Sequence, residues 1–147
     1  MNQPASTNPF KGIKNAPPSF GGDYVKPGKH LLEVKEHKLI KSQQKNTDMF
    51  VAVFTVLESN NPAHPAGSTC SWIVNFQHAS ALSNLKSYVM SVYNCLEADV
   101  DEDLTASLTD ASQPGRGVVV QCEANHVKTR KGGDFTKCAW KFVSAAE

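Results

Sequence analysis

The chain has 147 residues, 40% of them hydrophobic and 20% charged, with a net charge of +1, the size and balance of one globular domain. No apolar run approaches the roughly 18 residues needed to span a bilayer. The first residues lack the charged start and apolar core of a secretory signal, so a cytoplasmic location is expected.

The small net charge conceals a segregation. Residues 1–48 hold eight lysines and four acids, residues 49–115 one lysine and seven acids, and residues 116–147 six basic residues and three acids. Both ends are basic and the middle is acidic. Ends folded against each other would make one face positive, the electrostatic footprint of a polyanion binder.

Residues 1–27 are rich in Pro, Gly, Ser and Asn, with Phe10, Phe20 and Tyr24 spaced along them. A flexible arm is expected there, followed by one domain over residues 28–147. KHLLEVKEHKLIK (29–41) alternates imperfectly and reads as a long strand bent near Glu36. SQQKNTD (42–48) is a polar turn. MFVAVFTVL (49–57) is apolar on both faces and β-prone, a central strand. ESNNPAHPAG (58–67) is a loop by composition, and STCSWIVNF (68–76) is a third strand with Cys70, Trp72, Val74 and Phe76 on one face.

The period then changes. In residues 80–98, Leu82, Leu85, Val89, Val92 and Leu96 recur at three- and four-residue steps, the stripe of an amphipathic helix with Ser80 as its N-cap. Residues 99–112 can hold a second short helix around Leu104 and Leu108, which QPGRG (113–117) stops. VVVQCEANHV (118–127) is a fourth strand, KTRKGGD (128–134) a hairpin turn, and FTKCAWKFV (135–143) a fifth strand. In that last strand Thr136, Cys138, Trp140 and Phe142 share one face, and Phe135, Lys137, Ala139, Lys141 and Val143 the other. The fold class expected is mostly β with one main helix: an OB-fold-like five-stranded barrel, β-β-β-α-β-β, behind a flexible N-terminal arm.

Catalytic chemistry is missing. There is no phosphate-binding loop, nucleophile elbow or zinc-protease motif. Cys70, Cys95, Cys122 and Cys138 form no C-x-x-C pair and are expected to be reduced, buried or idle. His64 and His78 sit in or beside loops and read as surface histidines. The acids Asp99, Asp101, Glu102 and Asp103 lack the glycine and terminal Glu of a calcium loop. No enzyme activity, cofactor or metal is expected.

Binding chemistry is present. Single-strand binders combine a basic groove with exposed aromatics, because each nucleotide offers a phosphate and a π-face. The last hairpin interleaves Lys128, Arg130, Lys131, Phe135, Lys137 and Lys141, and the first strand and its turn add Lys35, Lys38, Lys41 and Lys45. In an OB-fold the turns after strand one and between strands four and five flank the ligand groove. The expected nucleic-acid-binding set is these ten residues with Phe50, which opens strand two beside the Lys45 turn. Phe50 and Phe135 are the candidate stacking platforms, whereas Trp72, Phe76, Trp140 and Phe142 are expected in the core.

The chain also resembles small bacteriophage proteins of the OB-type single-stranded DNA-binding class. The resemblance covers about residues 23–143. It rests on Tyr24-x-x-Pro27-Gly28, on Phe54 and Val56, on Pro65-Ala66-Gly67, and on Gly132-Gly133-Asp134-Phe135-Thr136 closing at Trp140. It implies a non-enzymatic phage protein that protects single-stranded DNA in replication or recombination, in the cytoplasm of the infected host cell. Candidate partners are single-stranded DNA or RNA, further copies of the chain, and phage replication or recombination proteins, with no membrane. The long acidic tail of many single-strand binders is missing; the acid-rich segment 97–110 is internal. The alternative is a virion structural or assembly protein making protein–protein contacts through its arm.

Overall fold

The computed structural model describes Phe10 and residues 23–41, 48–128 and 134–146. Its elements run β1 (Asp23–Tyr24), β2 (Gly28–Lys41), β3 (Asp48–Ser59), β4 (Thr69–Asn75), α1 (Ala81–Tyr93), a 3-10 turn (Glu97–Asp99), α2 (Glu102–Ser107), β5 (Val119–Lys128) and β6 (Asp134–Ser144). All strands join one sheet in the order β1-β4-β3-β2-β5-β6. Every pairing is antiparallel except the short parallel contact of β1 with β4. Among the described residues no helix is long and apolar enough to cross a membrane.

The sheet curls without closing. β4 and β6 are four strand spacings apart, about 19 Å in a flat sheet. Yet the rings of Trp72 on β4 and Trp140 on β6 lie 5.0 Å apart across the core. β1 and β6 remain the two edges, so the closed five-stranded barrel expected from the sequence is instead an open, barrel-like sheet of six strands. The sixth strand comes from residues read as arm: Asp23 and Tyr24 pair with Cys70 and Ser71, and Val25 is buried in the core.

The curl is centred on β2. Its register against β3 shifts between Leu31 and Leu32 and again between Val34 and Glu36, and each such bulge sharpens the local twist and bend. The second shift switches the inward set from His30, Leu32 and Val34 to His37. Only Gly28–Glu33 pair with β5. Beyond Glu33, residues 113–118 stand in for a strand. Val34 N–H donates to Val118 O (2.8 Å) and Gly117 N–H to Val34 O (2.9 Å). Farther on, the Gln113 side-chain amide accepts from His37 N–H (2.7 Å) and donates to His37 O (3.0 Å).

The inward residues Leu32, Val34, Phe50, Ala52, Phe54, Val56, Trp72 and Val120 form the core. Helix α1 covers it with Leu85, Tyr88, Val89 and Val92. Tyr88 is fully buried at the centre, its ring 4.7 Å from Trp140 and 4.9 Å from Trp72. The expected stripe is therefore partly right: Leu82 and Leu96 are 71% and 73% exposed. The helix stops early because Asn94 adopts the left-handed conformation (φ 49°), a C-terminal stop that Asn tolerates. Ser80 precedes the helix but makes no side-chain capping bond.

His64 corrects the expectation of a surface histidine. It is 2% exposed, and its Nε2 accepts the Lys26 N–H (3.0 Å). Beside it, His30 Nε2 faces the Lys26 carbonyl at 2.7 Å and Nδ1 faces Ser59 Oγ at 2.7 Å. A carbonyl only accepts, so Nε2 carries a proton. Asn60 and Asn61 add bonds to Lys29 N–H and Pro27 O. The loop after β3 thus clamps the start of β2.

Candidate nucleic-acid interface

Alternation in β6 is as the sequence predicts. Thr136, Cys138, Trp140 and Phe142 are half-buried, while Lys137, Ala139, Lys141 and Val143 are exposed. Register extends the outward face across the sheet. Lys137 lies opposite Asn125, Ala139 opposite Glu123 and Lys141 opposite Gln121. Glu123 and Gln121 in turn lie opposite Lys29 and Leu31 of β2. Lys137 and Lys141 are four residues apart, about 13 Å along an extended strand. Beside them, a shallow concavity of about 600 Å³ is lined by Lys29, Leu31, Leu57, Glu58, Asn60 and Gln121. Lys29, which sequence reasoning left out, is thus the β2 lysine that reaches the β6 set. The alternation of the first strand was the signal that could have found it.

The other β2 lysines lie elsewhere. Lys35, at the bulge, and Lys41, at the strand end, are exposed. Lys38 Nζ pairs with Glu36 Oε1 at 3.1 Å. These two lie opposite Val51 and Val53, outward-facing residues that are nonetheless 0% and 3% exposed. Directly paired positions share a face of the sheet, which sets the Lys38 stem beside Val51, so Lys38 serves packing as well as charge. Residues 36–41 pair with β3, and none of residues 35–41 pairs with β5. Register therefore places this basic set at the opposite end of β2 from the Lys128–Asp134 end of the β5–β6 pair, not beside it. Lys45, Arg130 and Lys131 lie outside the described residues. Lys128 and Phe135 belong to the strands by backbone pairing, and their side chains also lie outside the described part.

Phe50 is a correction. It is 2% exposed and stacks on His37 at 5.4 Å, so it is a core ring and not a stacking platform. The reason is parity: it shares the inward face of β3 with Ala52, Phe54 and Val56. The outward face of β3 and β4 carries Val51, Val53, Thr55, Ser71 and Ile73, with no aromatic ring among these positions. In the described region, stacking on that central face has no platform.

The interior is chemically quiet. Burial pushes the Cys70 thiol up to about 12. A hydrogen bond with Cys138, reinforced by burial, pushes Cys122 up as well. Protonated thiols are poor nucleophiles and poor metal ligands. Among the described residues no group of three or more His, Cys, Asp or Glu is placed to hold a metal. Compared with known protein families and with curated proteins, the chain has no match.

Proposed function

We propose that this chain is a non-enzymatic single-stranded nucleic-acid-binding protein of OB type, a bacteriophage protein that protects single-stranded DNA in replication or recombination within the infected cell. The observation that carries the reading is the strand order. With β1 set aside, the remaining five strands run β4-β3-β2-β5-β6, and the helices fall between the third and fourth of them. The OB-fold is a partly open five-stranded barrel, and this strand order supports that reading.

The ligand path we assign departs from the usual one. OB-folds commonly bind across the second and third strands, here β3 and β4, whose outward positions Val51, Val53, Thr55, Ser71 and Ile73 carry neither a lysine nor an aromatic ring. The exposed lysines Lys29, Lys137 and Lys141 instead lie on the outward face of β2, β5 and β6, toward the end of the sheet where Lys128 pairs with Asp134. On this path phosphate contacts dominate, and Phe135, two residues before Lys137 in the sequence, is the stacking candidate. Fluorescence anisotropy with labelled single-stranded DNA, single-stranded RNA and duplex tests the proposal. Saturable binding to single strands in preference to duplex is expected. Undetectable binding of both single strands at low salt would exclude it.

A further inference from the structure

A row of outward side chains crosses four strands. Directly paired positions share a face of the sheet. Register sets Glu58 of β3 opposite Leu31 of β2, Leu31 opposite Gln121 of β5, and Gln121 opposite Lys141 of β6. The row spans three strand spacings, about 14 Å. Its first three members line the concavity of about 600 Å³. Leu57 joins Leu31 as an apolar floor there. It is the extra residue of a bulge, since Leu31 pairs with Glu58 and Leu32 with Val56. Glu58, Asn60 and Lys29 also line the concavity, and all three are exposed. Glu58 and Lys29 are diagonal neighbours, about 7–8 Å apart, and neither is in an ion pair among the described residues. Asn60 Oδ1 accepts the Lys29 N–H at 2.9 Å, which leaves the Asn60 Nδ2 donors for another partner. The remaining hydroxyl, Ser59 Oγ, is occupied by His30 Nδ1 and Asn61 N–H.

We propose that this concavity is a guanine subsite, given a chain that binds single-stranded nucleic acid as proposed above. The concavity holds one carboxylate and one ammonium. The ammonium suits a phosphate. The carboxylate repels phosphate and only accepts hydrogen bonds, so it calls for a part of the ligand that donates. Guanine is the base whose Watson–Crick edge carries two adjacent donors, N1–H and N2–H, with the acceptor O6 beside them. The two Glu58 oxygens take the two donors as a bidentate, charge-assisted pair, and Asn60 Nδ2 donates to O6. Adenine and cytosine offer that edge a single amine. Thymine offers one N–H between two carbonyls, which the carboxylate repels. The base lies on Leu31 and Leu57. Lys29 takes a phosphate of the same nucleotide, and Gln121 and Lys141 continue the row toward β6. Glu123 faces Lys29 across β2 and β5 but lies one row away, outside the concavity. Reading a base by its Watson–Crick edge requires an unpaired strand, in keeping with preference for single strands over duplex.

Competition anisotropy with the full chain and thymine oligonucleotides of about 12 nucleotides, within the usual site sizes of OB-folds, tests the subsite. The central base is thymine, adenine, cytosine, guanine, or hypoxanthine, which is guanine without its N2 amine. The guanine oligonucleotide is expected to bind about tenfold tighter than the all-thymine one, the discrimination of one bidentate base contact, with hypoxanthine between the two. Glu58→Gln should erase most of that preference, leave the all-thymine oligonucleotide bound at least as tightly, and keep the melting temperature, because the side chain is exposed. Glu123→Gln removes the same charge outside the concavity and should keep the preference. All-thymine binding with no guanine preference, hypoxanthine bound as tightly as guanine, a preference that survives Glu58→Gln, or one that Glu123→Gln also removes would each overturn the subsite and leave the single-strand reading standing. Failure of every oligonucleotide to bind would overturn both.

Discussion

His37 makes the stability of this fold depend on pH in a window that can be worked out from its surroundings. It is 1% exposed, with Phe50 stacked on it at 5.4 Å and the Tyr88 hydroxyl 2.6 Å from its Nε2. Gly115 packs so close that an added Cβ would lie 2.8 Å from its Cε1. Its Nδ1 has no hydrogen-bond partner among the described residues. No acid stands among these contacts to hold a proton on the ring, and burial lowers its pKa from 6.5 to about 4. The folded state thus binds fewer protons than the unfolded chain between those values. Stability from this group is intact above pH 6.5, falls as the pH drops through 6.5, and is fully lost near pH 4. At 1.36 kcal/mol per pH unit the loss is about 3 kcal/mol, a large part of a typical net stability of about 5–15 kcal/mol. Urea unfolding of wild type and His37→Asn at pH 7, 5.5 and 4.5 measures it. The variant should start less stable, having lost the ring packing, and the gap should shrink by about 2.5 kcal/mol between pH 7 and pH 4.5. A constant gap across the three pH values would refute the assignment.

Phe50→Ala should cost about 3–5 kcal/mol of stability, as large aromatic truncations in cores do, and should leave oligonucleotide affinity unchanged wherever the protein remains folded; chemical denaturation and titration together check this. Trp140→Ala should cost a similar amount, because its ring packs on Phe54, Trp72 and Tyr88, and a melt at wild-type temperature would place it outside the core. Gly28→Ala should lower stability by about 2 kcal/mol, since φ is 139° and the new Cβ would lie 2.5 Å from Asn60 Oδ1, displacing the bond that Asn60 makes to Lys29 N–H; a thermal melt reads the loss. Phe135→Ala should weaken single-strand binding by about 1–3 kcal/mol, the worth of one stacked base, with little change in the melt.

Much of the fold was legible because alternation and helical period report directly on burial. The five long strands, the main helix and the two faces of β6 follow from them. Parity failed where local sequence could not see the bulge: the inward side of β2 changes between Val34 and His37, so a fixed alternation misplaces half the strand. Phe50 was misread because its position beside a basic turn suggested exposure, while the inward parity it shares with Phe54 decided its burial. Tyr88 was overlooked because the helical stripe was drawn through aliphatic residues, and Leu82 and Leu96 were included although the helix turns its neighbours inward. Two features depend on long-range partners that no local pattern announces. One is the seating of β1 on β4. The other is the use of the Gln113 amide as a surrogate strand for His37, across 76 residues of sequence. Lys29 was legible as an outward residue, but its nearness to Lys141 required the β2–β5–β6 register.

The central claim is that the outward lysines of β2 and β6 carry phosphate. It is tested most directly by the salt dependence of oligonucleotide affinity in wild type and in a Lys29→Ala, Lys137→Ala, Lys141→Ala triple variant. Each phosphate contact contributes about −0.7 to the slope of log affinity against log salt for single strands. Loss of three contacts should therefore make the slope shallower by about 2, with the melting temperature preserved because all three side chains are exposed. A slope that stays as steep as in wild type would contradict the assigned face, and wild-type affinity independent of salt would contradict nucleic-acid binding through these lysines altogether.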